Sequence, residues 1–134
     1  MALELRPNCE LCDCDLAPDS AEARICSYEC TFCVACVETI LHDVCPNCAG
    51  GFVPRPIRPL QEWRPGLSLE KRPPSTTRIR CGYSRAAIEA FASRVKNLPA
   101  RERSQRMPWR QFFTFQAAVS RTAPVGRLRR TGRR

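Results

Sequence analysis

Histidine is nearly missing from this 134-residue chain, with His42 standing alone. One histidine supplies no Ser-His-Asp or Cys-His constellation, and no serine or threonine sits in a nucleophile elbow, so a non-enzyme is expected. Long apolar runs are missing too: no stretch of 18 such residues occurs, and the opening MALELRPNCE places Glu4 where a secretory leader needs an apolar core. Neither a leader nor a membrane span is expected, and a cytoplasmic location follows. Basic residues are scarce at one end only. Residues 1–53 hold two, Arg6 and Arg24, against nine acids, a formal charge of −7, whereas residues 54–134 hold 20 basic and four acidic residues, or +16. The net charge of +9 thus conceals an acidic head and a basic remainder, which attract each other within one chain at low salt.

What the chain has in excess is cysteine. Nine of its ten cysteines fall within the first 48 residues, and eight of them, Cys9, Cys12, Cys26, Cys30, Cys33, Cys36, Cys45 and Cys48, form three C-x2-C pairs and a C-x3-C. A C-x2-C pair lets one tight turn offer two thiolates to one ion, so this set matches the ligand count of two tetrahedral zinc sites. A head of about 50 residues is near the size at which an apolar core alone is marginal. Disulfides and an iron–sulfur cluster are alternatives, but a reducing compartment and the paired spacing favour two Zn2+. Sequential sites and interleaved sites both satisfy the spacing.

The leftover Cys14 and Cys81 are read as free thiols, and His42 as a helix-end residue rather than a ligand. Val37, Ile40 and Leu41 follow Cys36 at helical spacing and predict a short helix before Cys45. With Leu11 they form a minimal core. The carboxylates of D-C-D-L-A-P-D-S are read as solvated surface.

Beyond Val53 the composition changes. Six prolines between Pro54 and Pro74 predict an extended linker over residues 54–82 that packs on little. A helical segment is expected over 83–119. Ser84 N-caps a helix to Leu98 with Ala87, Ile88, Phe91, Val95 and Leu98 on one side, Tyr83 and Ile88 are placed as a hydrophobic staple, and a second helix runs from about Pro108 to Val119. Residues 120–134, rich in arginine, are expected to be disordered. The basic tail offers phosphate neutralisation and Trp109 a stacking surface, so nucleic acid is one candidate partner.

The order C-x2-C, long loop, C-x3-C-x2-C-x2-C, short helix, C-P-N-C resembles a RING-type cross-brace over residues 9–48, with Cys30 where that family commonly has histidine. The resemblance implies interleaved sites, Cys9, Cys12, Cys33 and Cys36 for one ion and Cys26, Cys30, Cys45 and Cys48 for the other. It also implies ligase-type docking of a conjugating enzyme through Leu11, Leu41 and Pro46, although Ala49 to Phe52 stand where ligases often place a basic residue. L-E-L-R-P-N-C, I-C-S-Y-E-C-T-F-C and L-H-D-V-C-P-N-C-A-G-G-F-V-P-R-P are similar to a family of short bacterial proteins, domain of unknown function 1272, over about residues 1–60. That similarity implies a small zinc-binding protein; the long arginine-rich end departs from it. The expected architecture is therefore a zinc-stabilised α+β head over residues 1–53, RING-like or treble-clef-like, followed by linker and basic tail. The expected function is a non-catalytic interaction module for a protein partner, with a ubiquitin-ligase-type adapter and a nucleic-acid-binding zinc protein as alternatives.

Overall fold

The computed structural model describes residues 2–105, and residues 2–104 lie within one compact unit. The expected helix from Pro108 to Val119 and the arginine-rich residues 120–134 lie outside the described residues. Regular structure is sparse, as a chain organised by short turns requires. Strands β1 (Ala23–Ile25) and β2 (Thr31–Cys33) form an antiparallel hairpin with Ala23 opposite Cys33, and β3 (Val53–Pro54) pairs with the other edge of β1, giving the order β2-β1-β3.

Helix α1 (Val34–Cys36) leaves β2 directly and runs into a π-helical turn, Val37–Leu41. The predicted helix is thus present, but its second half is wound wider: the His42 N–H bonds the Val37 carbonyl five residues back. His42 and Asp43 then both adopt left-handed backbone, with φ of 48° and 61°, which turns the chain sharply toward Cys45.

The core is a single cluster in which cysteines and aliphatics mix. Leu16, Ala23, Phe32, Val37 and Leu41 are buried among Cys9, Cys26, Cys33, Cys36 and Cys45. Phe32 is wholly buried and meets Phe52 edge-to-face at 5.4 Å between ring centroids.

The segment after Val53 does not behave as a free linker. It has little regular structure, as its prolines dictate, yet it wraps back along the head through side-chain and backbone hydrogen bonds. Arg55 is 4% exposed and donates to the carbonyls of Arg6 (2.8 Å) and Ala17 (2.9 Å). Arg58 bonds the Leu3 carbonyl, Ser75 N–H the Glu4 carbonyl, and Cys81 N–H the Glu10 carbonyl. The buried Asn8 side chain exchanges hydrogen bonds with the Ile79 backbone, accepting at 3.2 Å and donating at 2.9 Å. Arg78 reaches Asp13 (3.0 Å) and Asp15 (2.6 Å) and holds the Asp13 carboxyl below the usual carboxylate range. Opposite charge in the two halves is therefore used for docking. The expectation that residues 54–82 pack on little fails because arginine carries donors that proline-rich backbone lacks, and the head offers carbonyls left free by its irregular turns.

Helix α2 (Arg85–Val95) starts at Ser84, whose hydroxyl accepts from Ala87 N–H at 3.2 Å, as predicted. It stops at Val95, before Leu98, and α3 (Ala100–Arg103) follows Pro99. Proline disfavours helical backbone in the residue before it, so Leu98 stays outside the helix. Ile88 and Ala92, one turn apart, are the buried pair, and Ile88 joins the core beside Leu41. Tyr83 remains 58% exposed, so the anticipated staple leaves its outer member in solvent. Truncating Ile88 to Ala is expected to lower stability by about 2–4 kcal/mol in urea denaturation, the ordinary cost of a buried aliphatic lost to a cavity.

Candidate metal centre

Two of the cysteine pairs share a turn geometry that repeats atom for atom. In the first, Cys9 N–H bonds the Cys14 carbonyl and Asp13 N–H returns to the Cys9 carbonyl, both at 2.9 Å. In the second, Cys45 N–H bonds the Gly50 carbonyl and Ala49 N–H the Cys45 carbonyl, both at 2.8 Å. Each turn closes through a left-handed residue, Asp13 at φ 65° and Ala49 at φ 64°. This folding points backbone N–H groups at sulfur: those of Leu11 and Cys12 at Cys9, those of Asn47 and Cys48 at Cys45, and Gly50 N–H at Cys48 Sγ (3.3 Å). N–H donors around sulfur stabilise the thiolate and orient it, as outer-shell partners of metal ligands do.

The other two pairs come from the hairpin and α1. Tyr28 N–H reaches Cys26 Sγ at 3.4 Å, and Cys33 caps α1 by accepting from Cys36 N–H at 3.5 Å. Asn47 Nδ2 donates to Cys30 Sγ at 3.4 Å.

These turns bring the sulfurs together in two groups. Cys9, Cys12, Cys33 and Cys36 lie with all sulfurs within 4.8 Å of one another, as do Cys26, Cys45 and Cys48. Either group could hold a metal ion. The Cys12 and Cys33 sulfurs are 3.8 Å apart, and tetrahedral metal–sulfur bonds of about 2.3 Å put neighbouring sulfurs about 3.8 Å apart. The groups are interleaved along the chain, since Cys26 falls between the two pairs of the first group. Cys30 stands beside Cys26, its charge felt at Cys45, but its sulfur is not within 4.8 Å of all three others.

Crowding of sulfurs shows in their proton affinities. Burial, reinforced by contact with Cys33 and the charge of Cys9, pushes Cys36 up, and burial likewise raises Cys9, Cys30 and Cys45. Burial also works to raise Cys12, but the Cys14 N–H and hydrogen bonds from the Cys14, Cys9 and Cys33 thiols outweigh it and lower Cys12 to about 7. A divalent cation placed among such sulfurs reverses the repulsion and drives the protons off.

Cys14 is exposed, and burial together with Cys12 and Cys33 pushes it up to about 12, so it stays a neutral thiol beside the first group. Cys81 is half-buried and reaches Asn47 Oδ1 at 3.7 Å, which links it through Asn47 to Cys30. His42 is exposed at the helix end and joins neither group.

Three residues important to this site were not singled out as such in the sequence. Glu10, 3% exposed, accepts from Thr31 N–H and from Arg6 at 2.9 Å, joining the first turn to β2. Asn47 donates to Cys30 Sγ and accepts from Cys81 Sγ, so it ties the Cys45–Cys48 turn to both. Arg103 bonds the carbonyls of Asp43 and Ala49, so α3 braces the Cys45–Cys48 turn, and a Cβ on Gly51 would come within 2.7 Å of Ala100 there. Among the described residues no helix is long and apolar enough to cross a membrane.

The chain is similar to other proteins. An uncharacterized protein of Rhizobium meliloti (strain 1021) is 52% identical over 89 residues, which cover 63% of this chain and 99% of that protein. No solved structure matches the chain. The family described as "Protein of unknown function (DUF1272)" matches residues 2–58, the span that contains every cysteine of both groups, and the chain belongs to it.

Proposed function

We propose that the protein is a structural zinc protein, holding two Zn2+ in interleaved, RING-like sites and serving as a non-catalytic interaction module in the cytoplasm. The observation that carries this reading is the convergence of Cys9, Cys12, Cys33 and Cys36 from two distant parts of the chain, with backbone N–H groups already aimed at sulfur. Four thiolates per ion leave no coordination position for water, so such a site stabilises and does not catalyse. Cys30, whose sulfur lies beside Cys26, would complete the second set as its fourth ligand. All ten cysteines are unpaired, in keeping with a reducing compartment.

The adapter alternative draws less support. Leu41 and Pro46, two of the three positions through which a RING-type ligase would dock its enzyme, are buried, and α2 packs on the turn that carries Leu41. The chain's own helix fills that surface. An apolar groove of about 530 Å³ remains between the Cys45–Cys48 turn and α2, bordered by Pro46, Tyr83 and Phe91.

Elemental analysis of the purified protein is expected to give two zinc ions per chain. Iron with visible charge-transfer bands would overturn the zinc assignment. A photo-crosslinking residue at Tyr83 is expected to capture a discrete protein in cells; capture no different from that at Arg24, which does not border the groove, would remove the interaction role.

A further inference from the structure

The loop from Arg58 to Arg72, together with Ala2, lines an open surface concavity of about 430 Å³ that belongs to neither cysteine group. Its lining combines three arginines, Arg58, Arg64 and Arg72, with Trp63, Pro59 and Leu67, and no acidic residue contributes. The volume falls within the roughly 300–1,000 Å³ of small-molecule sites.

The loop is built as a fixed wall. Leu69 N–H bonds the Pro59 carbonyl at 2.9 Å, Arg72 N–H bonds the Ser68 carbonyl at 2.9 Å, and the fully buried Ser68 accepts from Lys71 N–H at 3.2 Å. Gly66, at φ 79°, permits the turn that pairs Arg64 with Leu67. Glu62, an acid close in sequence, is turned toward Gly66 N–H.

Two features of that wall call for a ligand. Trp63 is 77% exposed in a concave setting, with little of its indole covered by the described residues. Arg58 spends its guanidinium on the carbonyls of Arg72 and Leu3, both at 2.6 Å, but among the described residues Arg64 and Arg72 have no carboxylate or carbonyl partner for theirs. Two unpaired guanidinium groups beside a flat aromatic face, with no acid among the described lining residues, reject cations and suit an anion that carries a planar ring.

We propose that this cavity binds a nucleotide unit, with the nucleobase stacked on Trp63 and the phosphate held by Arg64 and Arg72. Guanidinium groups match phosphate oxygens in bidentate geometry, and base–aromatic stacking tolerates any base because each has a π-face. The site differs from the basic tail in place and in kind: it lies in residues 58–72 and needs concavity as well as charge. Its ligand is either a free nucleotide or one unit of a single strand.

The test uses the full-length, metal-loaded protein with Trp109→Phe, which leaves Trp63 as the only tryptophan. Titration with adenosine monophosphate and, separately, with a short single-stranded oligonucleotide is expected to quench Trp63 fluorescence saturably with at least one of them. Saturation by the mononucleotide alone identifies the free form, and much tighter saturation by the strand identifies the polymer. Arg64→Ala and Arg72→Ala should each weaken that binding on the order of tenfold, with circular dichroism and zinc content unchanged. In Trp63→Leu, followed by calorimetry, a comparable loss is expected. No saturable quenching by either probe overturns the proposal. So does affinity unchanged in both arginine variants, inorganic phosphate binding as tightly as the nucleotide, or a Trp63 response confined to vesicles of anionic lipid.

Discussion

Cys36→Ser is expected to leave the head without stable structure and with no more than a weakly held metal. Structural thiolate sites contribute roughly 10–16 kcal/mol of apparent binding free energy, more than the 5–15 kcal/mol by which ordinary domains are stable. Cys36 is buried, donates its N–H to Cys33 Sγ at the α1 cap, and sits among the core aliphatics, so its loss removes a ligand and a packing contact together. Interleaving spreads the damage. The first group joins the chain before the hairpin to the chain after it, and the second group lies within and beyond that loop, so each ion clamps the segment that the other closes. Cys14→Ser and Cys81→Ser, outside both groups, should keep the far-ultraviolet spectrum and the metal content of the parent. A Cys36→Ser variant that retains one tightly bound ion and a folded Cys45–Cys48 turn would show that the sites are independent.

The second large effect is expected at Arg55. Replacement by Met keeps the aliphatic stem and removes the guanidinium, leaving the part-buried carbonyls of Arg6 and Ala17 and, at longer range, the buried carbonyl of Leu16 without their donor. A buried acceptor left unpaired costs about 1–3 kcal/mol and a part-buried one less, so a loss of about 2 kcal/mol is expected in denaturant unfolding of the zinc-loaded protein. Arg55 Nε is itself buried without a partner, which indicates that the guanidinium is placed for its two terminal nitrogens. Arg80→Ala is the contrast: its pairing with Asp13 at 3.4 Å is solvent-exposed, and a change within about 0.5 kcal/mol is expected. Similar losses in the two variants would mean that the wrap is held by diffuse charge rather than by the buried donor.

These two positions mark what the sequence made legible and what it did not. Cysteine spacing announced metal chemistry because ligand geometry restricts how far apart two thiolates of one turn can be. The grouping of those thiolates was open on spacing alone, since either scheme satisfies the count, and only the RING resemblance favoured the interleaved one. Ser84 and the apolar residues after it revealed α2 because capping and period are local. The buried pair, however, is Ile88 with Ala92, and a small residue such as Ala92 carries no hydrophobic signal of its own. Arg55 was hidden for a different reason. An arginine between two prolines reads as solvated linker, and nothing local reveals that irregular turns some 40 residues earlier leave carbonyls facing it. The left-handed Asp13 and Ala49 were equally concealed, because no glycine marks either position.

Cadmium-113 substitution followed by nuclear magnetic resonance tests the two interleaved sites most directly, because each cadmium couples through bonds to the β protons of its own cysteines. Two cadmium resonances are expected, one coupled to Cys9, Cys12, Cys33 and Cys36 and the other to Cys26, Cys30, Cys45 and Cys48. A single resonance, or one that joins Cys9 and Cys12 to Cys26 and Cys30, would contradict the assignment.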